Sequence, residues 1–258
     1  AIVSALDRAL SGGSLPGSPG SIANLIELGL ICLAQDDKTA ARSAFQRAIG
    51  LDLHCAHAYQ LLAETLIGLG ERNEAIVIYS QAISLDPSRA AWHHRLAELY
   101  DLHRDPASAL AHYQRAAALA IEQNLPAAET ANYLAALARA YARDHDLEAA
   151  RNQFEAALAL RDDSPTWWSQ CAQINFELKN YERAFECFSR ACELQPSDIA
   201  SYMGAARSAL ALGRETEAEE KAISILRYDP TNYDALIVMA EIFERRNDVS
   251  NALLAYTQ

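Results

Sequence analysis

Along the chain, small and large apolar residues recur in steps of three and four, the spacing that holds side chains on one face of an α-helix. The clearest instance is Ala-x-x-x-Phe/Tyr-x-x-Ala, found at Ala41/Phe45/Ala48, Ala75/Tyr79/Ala82, Ala109/Tyr113/Ala116, Ala150/Phe154/Ala157 and Ala184/Phe188/Ala191. Weaker copies stand at Ala218/Ala222/Ile225 and Ala252/Tyr256. Counting back 19 residues from each leading Ala places unit starts at Ile22, Ala56, Ala90, Ala131, Pro165, Ile199 and Tyr233, spaced 34, 34, 41, 34, 34 and 34.

Each unit predicts two helices. The first carries a large residue at its fourth position and a small one at its eighth: Leu25/Gly29, Tyr59/Ala63, His93/Ala97, Leu134/Ala138, Trp168/Ala172, Tyr202/Ala206 and Leu236/Ala240. A spacing of four puts both on one face, where the small residue admits a second helix at close range. Gly70 and Gly213 mark a turn at the fifteenth position, with Asp36-Asp37, Lys179-Asn180 and Asn247-Asp248 in equivalent places. Asp86-Pro87, Gln195-Pro196 and Asp229-Pro230 end the second helix, which proline cannot continue. The long spacing adds seven residues, close to two helical turns, so a lengthened helix keeps its buried face in register. With Asn124 as cap and Pro126 in the first turn, the extra length is expected in the first helix of unit four, a seven-residue loop being the alternative.

In this order of large, small, aromatic, Ala, aromatic, Ala and Pro, the chain resembles an array of tetratricopeptide repeats. The resemblance implies an all-α, right-handed solenoid of antiparallel helix pairs over residues 22–258, in seven units of which the last is incomplete. Cys171 and Ala205 replace the usual Leu at the seventh position, and Asn175 and Ala209 replace an aromatic at the eleventh, which suggests looser packing in units five and six. Residues 11–21 (SGGSLPGSPGS) have the composition of a flexible linker. In residues 1–10, Ile2, Val3, Leu6 and Leu10 would line one face of a helix set against unit one. At the other end the chain stops inside a second helix, and since solenoids need polar caps, the natural protein is expected to continue.

Composition adds mainly exclusions. Lys+Arg 22 against Asp+Glu 34 gives a net charge of -12, which repels nucleic acid and anionic membranes unless a basic patch is segregated. No apolar run is long enough to span a bilayer. The five cysteines, Cys32, Cys55, Cys171, Cys187 and Cys192, contain no C-x-x-C pair, which fits a reducing, cytoplasmic setting in which Cys187 and Cys192 fill core space. Phosphate-binding, dinucleotide, zinc-protease and nucleophile-elbow motifs are all missing, so neither catalysis nor a cofactor is implied. The nearest approach to a metal set, His54, Cys55 and His57 near His93 and His94, matches no zinc spacing.

Function is therefore expected at a surface. For this family the resemblance implies a concave groove lined by first helices at unit positions two, five, six, nine, twelve and thirteen. Units two and three would contribute His57, Gln60, Glu64, His94, Arg95 and Glu98, unit four Asn132, Arg139 and Arg143, unit five Gln173, and unit six Met203 and Arg207. Unit one offers the apolar strip Ile26, Leu30 and Leu33, and unit seven turns acidic with Asp234, Glu241 and Glu244. Neither the Lys/Asn/Arg set of the chaperone-tail clamp nor the asparagine ladder of sugar-transferase arrays is present. The expected function is a noncatalytic module that binds a peptide or extended protein segment, one with acidic character if Arg139, Gln173 and Arg207 act as a ladder. The alternatives are a recruiting arm of a larger enzyme and a self-assembly scaffold.

Overall fold

Helix pairs joined by a tight turn follow from the unit pattern, and the computed structural model, which describes residues 21–257, contains fourteen α-helices and no strand among those residues. The described residues fall into two compact bodies that meet in sequence between Gln123 and Asn124. The first holds α1 (Ile22–Ala34), α2 (Lys38–Leu51), α3 (Ala56–Leu69), α4 (Arg72–Leu85), α5 (Ala90–Leu102) and α6 (Pro106–Glu122). The second holds α7 (Ala127–Arg143), α8 (Leu147–Leu160), α9 (Pro165–Glu177), α10 (Tyr181–Leu194), α11 (Ile199–Ala211), α12 (Glu215–Tyr228), α13 (Tyr233–Arg245) and α14 (Val249–Thr257). Odd-numbered helices are the first of each pair. In each body the second helix of a unit also packs on the first helix of the next, so the pairs stack as an all-α solenoid.

The buried face is the one that the spacing indicates. Ala41, Phe45 and Ala48 are fully buried, and so are Ala75, Tyr79 and Ala82 and the corresponding trios of units four and five. The small residue at the eighth position is buried in all seven units. At Gly29 a Cβ would run into the Phe45 ring, so here the absence of a side chain sets how near α1 and α2 lie. Unit seven departs from the pattern, since Tyr256 is half exposed.

The turn between paired helices is one motif used seven times. The fifteenth residue of every unit is left-handed: Asp36, Gly70, Arg104, His145, Lys179, Gly213 and Asn247 have φ between 50° and 83° with Asn124 included in that range. The next residue donates its N–H to the carbonyl five residues earlier, at 2.8–3.0 Å, from Asp37 to Cys32 through Asp248 to Phe243. This bond satisfies a carbonyl that the helix end would leave open. The same residue then caps the following helix where it is Asp: Asp37, Asp105, Asp146 and Asp248 accept from the N–H three residues on. Ser21, expected in the linker, instead caps α1 by accepting from Asn24. The helix expected in residues 1–10 lies outside the described residues.

The seven extra residues are divided in a way the sequence reading does not anticipate. α6 has 17 residues and α7 has 17, where the other second and first helices before α14 have 13 or 14. Relative to the unit frame, three residues extend α6 and four extend α7, and the link between them keeps the usual four residues, 123–126. Asn124 does not cap α7. It takes φ 50° just after the end of α6, and Pro126 holds the N-cap position of α7. An asparagine tolerates the left-handed region because its short amide can bond locally, which suits a helix exit as well as an entry.

The departures in unit five are accommodated. Asn175 is fully buried, and its Nδ2 donates to the Cys171 carbonyl at 2.9 Å while its Oδ1 accepts from Asn180 at 3.2 Å. Both sides of the amide are thus satisfied without water. Ion pairs tie neighbouring units at the surface, among them Arg42 with Glu71 and Glu74, Arg214 with Glu182, and Arg246 with Glu215 and Glu219. At the surface and at least partly open to solvent, each contributes little.

Two stability outcomes follow. Ala184→Leu or Ala150→Leu should overpack its helix pair and cost about 1–3 kcal/mol in chemical denaturation; an unchanged midpoint would mean that these residues do not face the partner helix. His145→Gly and Lys179→Gly should each stabilise by up to about 1 kcal/mol by relieving the left-handed backbone, and His145→Val should destabilise. A loss of stability in both glycine variants would contradict strain at that position.

Candidate functional site

In the first body the expected groove residues of units two and three form a closed ionic network. Arg95 reaches Glu64 at 3.2 Å and Glu98 at 2.8 Å, and His94 approaches Glu98 at 4.0 Å. Glu64 also accepts the Tyr79 hydroxyl at 2.5 Å, which ties the network to the aromatic of α4. Burial opposes the Arg95 charge, but the hydrogen bonds to Glu98 and Glu64 outweigh it and hold the guanidinium firmly protonated. The Tyr79 hydroxyl is pushed well above its ordinary range, by burial first and by Glu64 second. Gln60 is half-buried and His57 exposed. The structure therefore gathers Glu64, His94, Arg95 and Glu98 into one cluster, and that cluster satisfies itself.

In the second body the groove residues have looser partners. Asn132 accepts from Arg161 at 3.3 Å, and Gln173 donates to Glu177 at 2.9 Å. Arg207 meets Asp234 of the next unit at 3.4 Å, with both side chains more than half exposed. Arg143 donates to the Arg139 carbonyl at 3.4 Å. The arginine ladder is thus engaged by neighbours at Arg207 and by an internal bond at Gln173.

An open cleft of about 390 Å³ lies on this face. Phe176, Phe188, Ile199 and Met203 form its apolar part, and Gln173, Arg207, Asn232 and Asp234 its polar rim. Gly204 sits between them at the sixth position of unit six, where a Cβ would strike the Phe188 ring. Of the residues expected in the groove, Gln173, Met203, Arg207 and Asp234 line the cleft; Phe188 and Asn232 line it without having been expected there. Phe188 belongs to a second helix and reads as core in the sequence, so only the missing side chain at Gly204 could have signalled it.

The histidines converge differently from the metal set considered above. Among the described residues no three His, Cys, Asp or Glu side chains come together as a metal site. His93 instead faces His112, Nδ1 to Nδ1 at 3.0 Å, and its Nε2 lies 3.3 Å from the Pro87 carbonyl. A carbonyl only accepts, so Nε2 of His93 carries the proton, its Nδ1 accepts, and His112 donates from Nδ1. Tyr100 stacks on His112 with ring centroids 5.6 Å apart. Burial holds both imidazoles below their ordinary pKa, with Arg115 adding to the effect on His93 and His93 to that on His112.

Stacked helix hairpins define the class as an α-solenoid of two-helix repeats. Models of the tetratricopeptide repeat family match residues 23–55, 56–89, 135–199 and 203–258, and the chain belongs to that family. Such repeats are in general noncatalytic scaffolds for protein–protein contact. DnaJ homolog subfamily C member 7 of Mus musculus is 26% identical over 232 residues, 90% of this chain and 41% of that protein. The chain therefore spans 41% of the length of that curated relative. Among solved structures, the C-terminal part of a TPR repeat-containing protein from Cytophaga hutchinsonii superposes with a TM-score of 0.68 at 14% identity, covering 90% of this chain and 93% of that one. YrrB, described as a TPR protein with an unusual peptide-binding site, gives 0.65 at 18% identity, covering 75% and 96%. These two likenesses concern the fold. No helix among the described residues is long and apolar enough to cross a membrane.

The histidine pair has a measurable pH signature. Because folding lowers both pKa values, the unfolded chain binds more protons below about pH 6.5, and stability falls as pH drops from there through the depressed native values. Denaturation midpoints should decline between pH 7.5 and 5.5, and a His93→Gln, His112→Phe double variant should lose most of that slope; an identical slope in the variant would place its origin elsewhere.

Proposed function

We infer that the protein is a noncatalytic interaction module that holds an extended segment of a partner protein along the first helices of its 124–258 body. The observation that carries this reading is the open cleft with an apolar floor and a rim of weakly engaged polar groups. The equivalent surface of units two and three is occupied by its own ion pairs, which disfavours it as the primary contact. An exposed pair such as Arg207–Asp234 is worth no more than about 1 kcal/mol, so a partner carboxylate can replace Asp234 at small cost. Arg139 and Arg143 extend the basic side of this groove, and a segment with acidic character suits it. YrrB shares the fold and is described as having a peptide-binding site, which is in keeping with a peptide-like occupant here. The five cysteines are free and four of them are buried, as suits a reducing, cytoplasmic setting.

A second reading, the recruiting arm of a larger protein, has one specific support: the alignment covers 90% of this chain but only 41% of its mouse relative. It needs the same groove and differs in what the bound segment is delivered to.

Arg139→Glu combined with Arg207→Glu should weaken capture of the main partner from its own cell extract by about tenfold or more, with helicity unchanged, and raised salt should weaken wild-type capture. Undiminished capture by the double variant would exclude this face as the binding surface.

A further inference from the structure

On the groove reading, the cleft lies between oppositely charged stretches of the first helices. On the side of units four and five stand the exposed Arg139 and Arg143, and on the side of unit seven the exposed Asp234, Glu241 and Glu244. Between them the surface is apolar, with Ile199 and Met203 at the cleft and the largely buried Phe188 ring packed closely against Gly204 beneath them. First helices of adjacent units touch here, α9 with α11 and α11 with α13, so a segment crossing them passes one unit after another.

We propose that this cleft seats one aliphatic side chain of the partner segment, with acidic residues of that segment toward units four and five and a basic residue toward unit seven. The inference rests on the groove reading above and adds to it the order of side chains. Packed helices lie about 8–10 Å apart, and an extended chain advances about 3.3 Å per residue, so one unit corresponds to about three residues. The acidic group facing Arg139, two units away, then falls about six residues from the aliphatic anchor. The basic group facing the exposed Glu241, one unit away, falls about three residues from it on the other side. The floor between Arg207 and Asp234 selects apolar surface, and the charges on either side set the direction of the segment.

The protein has two methionines, Met203 in the cleft and Met239 buried in unit seven, so a methyl-labelled full chain carries its own reference signal. The probe is a synthetic decapeptide with Glu at its first two positions, Leu at the seventh, Lys at the tenth and Ser or Gly elsewhere; its control has Ser in place of Leu. The Leu probe should move the Met203 methyl resonance and leave Met239 in place, and the Ser control should bind about tenfold more weakly. Ile199→Ser, at an exposed helix start where folding is not at stake, should weaken the Leu probe by about threefold or more. Equal binding of the two probes, binding that leaves Met203 unmoved, or no binding of either at millimolar concentration would overturn the proposal. The groove reading is decided separately, by partner capture with the Arg139→Glu, Arg207→Glu variant: capture lost there with Met203 unmoved by the Leu probe would mean that the groove is used and the cleft is not.

Discussion

Two helices can approach only as closely as the side chains between them permit, and in this protein that limit is set by small residues repeated at fixed places. The eighth position is Gly or Ala in every unit, and the twentieth is Ala in every unit. All of them are buried. A single large residue at one of these places would push a pair apart and displace the aromatic packed against it, as the Phe45 ring against Gly29 makes concrete. Stacking of units, the exposed face of first helices and the depth of the cleft all depend on that close approach. Because each pair contacts mainly its sequence neighbours, the constraint must be met locally, unit by unit.

This is why so much of the fold was legible in the sequence. A buried face with period 3.6 and an obligatory small residue leave a residue-type signature, and the first helices of six units start where the pattern places them: Ile22, Ala56, Ala90, Pro165, Ile199 and Tyr233. The long spacing was legible as helix but not in its division. Three residues at the end of α6 and four at the start of α7 carry no breaker that assigns them to one helix, and Asn124 suits a helix end as well as a start. Asn175 looked like a packing defect because sequence cannot display the Cys171 carbonyl and Asn180 amide that complete it.

The candidate site was legible only as a list of positions. Family resemblance supplied which residues face the groove, and Gln173, Met203 and Arg207 do line one cleft. Whether a charged side chain is available to a partner or already engaged depends on distances between units. Glu64 and Arg95 are 31 residues apart in sequence, and nothing in either segment announces the pair. The cleft brings Gly204 of one helix beside the core ring of Phe188 on another, and such a juxtaposition is a tertiary property. Histidines grouped by sequence proximity likewise proved a poor guide, since His93 finds His112 on the facing helix and not its neighbours at 54 and 57.

The left-handed turn bears on how repeats are counted. Seven turns share one backbone geometry, yet only Gly70 and Gly213 present the residue that such a geometry favours. Any tally keyed to residue type at this place registers two units where the main-chain bonds register seven. Residues 90–134 illustrate the point: the family models pass over them, while α5 and α6, joined through Arg104 in the left-handed region and the Asp105-to-Tyr100 bond, form a complete pair. Repeat number in such a chain is thus a property of its carbonyl-to-amide connectivity, and divergence of side chains can erase a unit from view without removing it from the molecule.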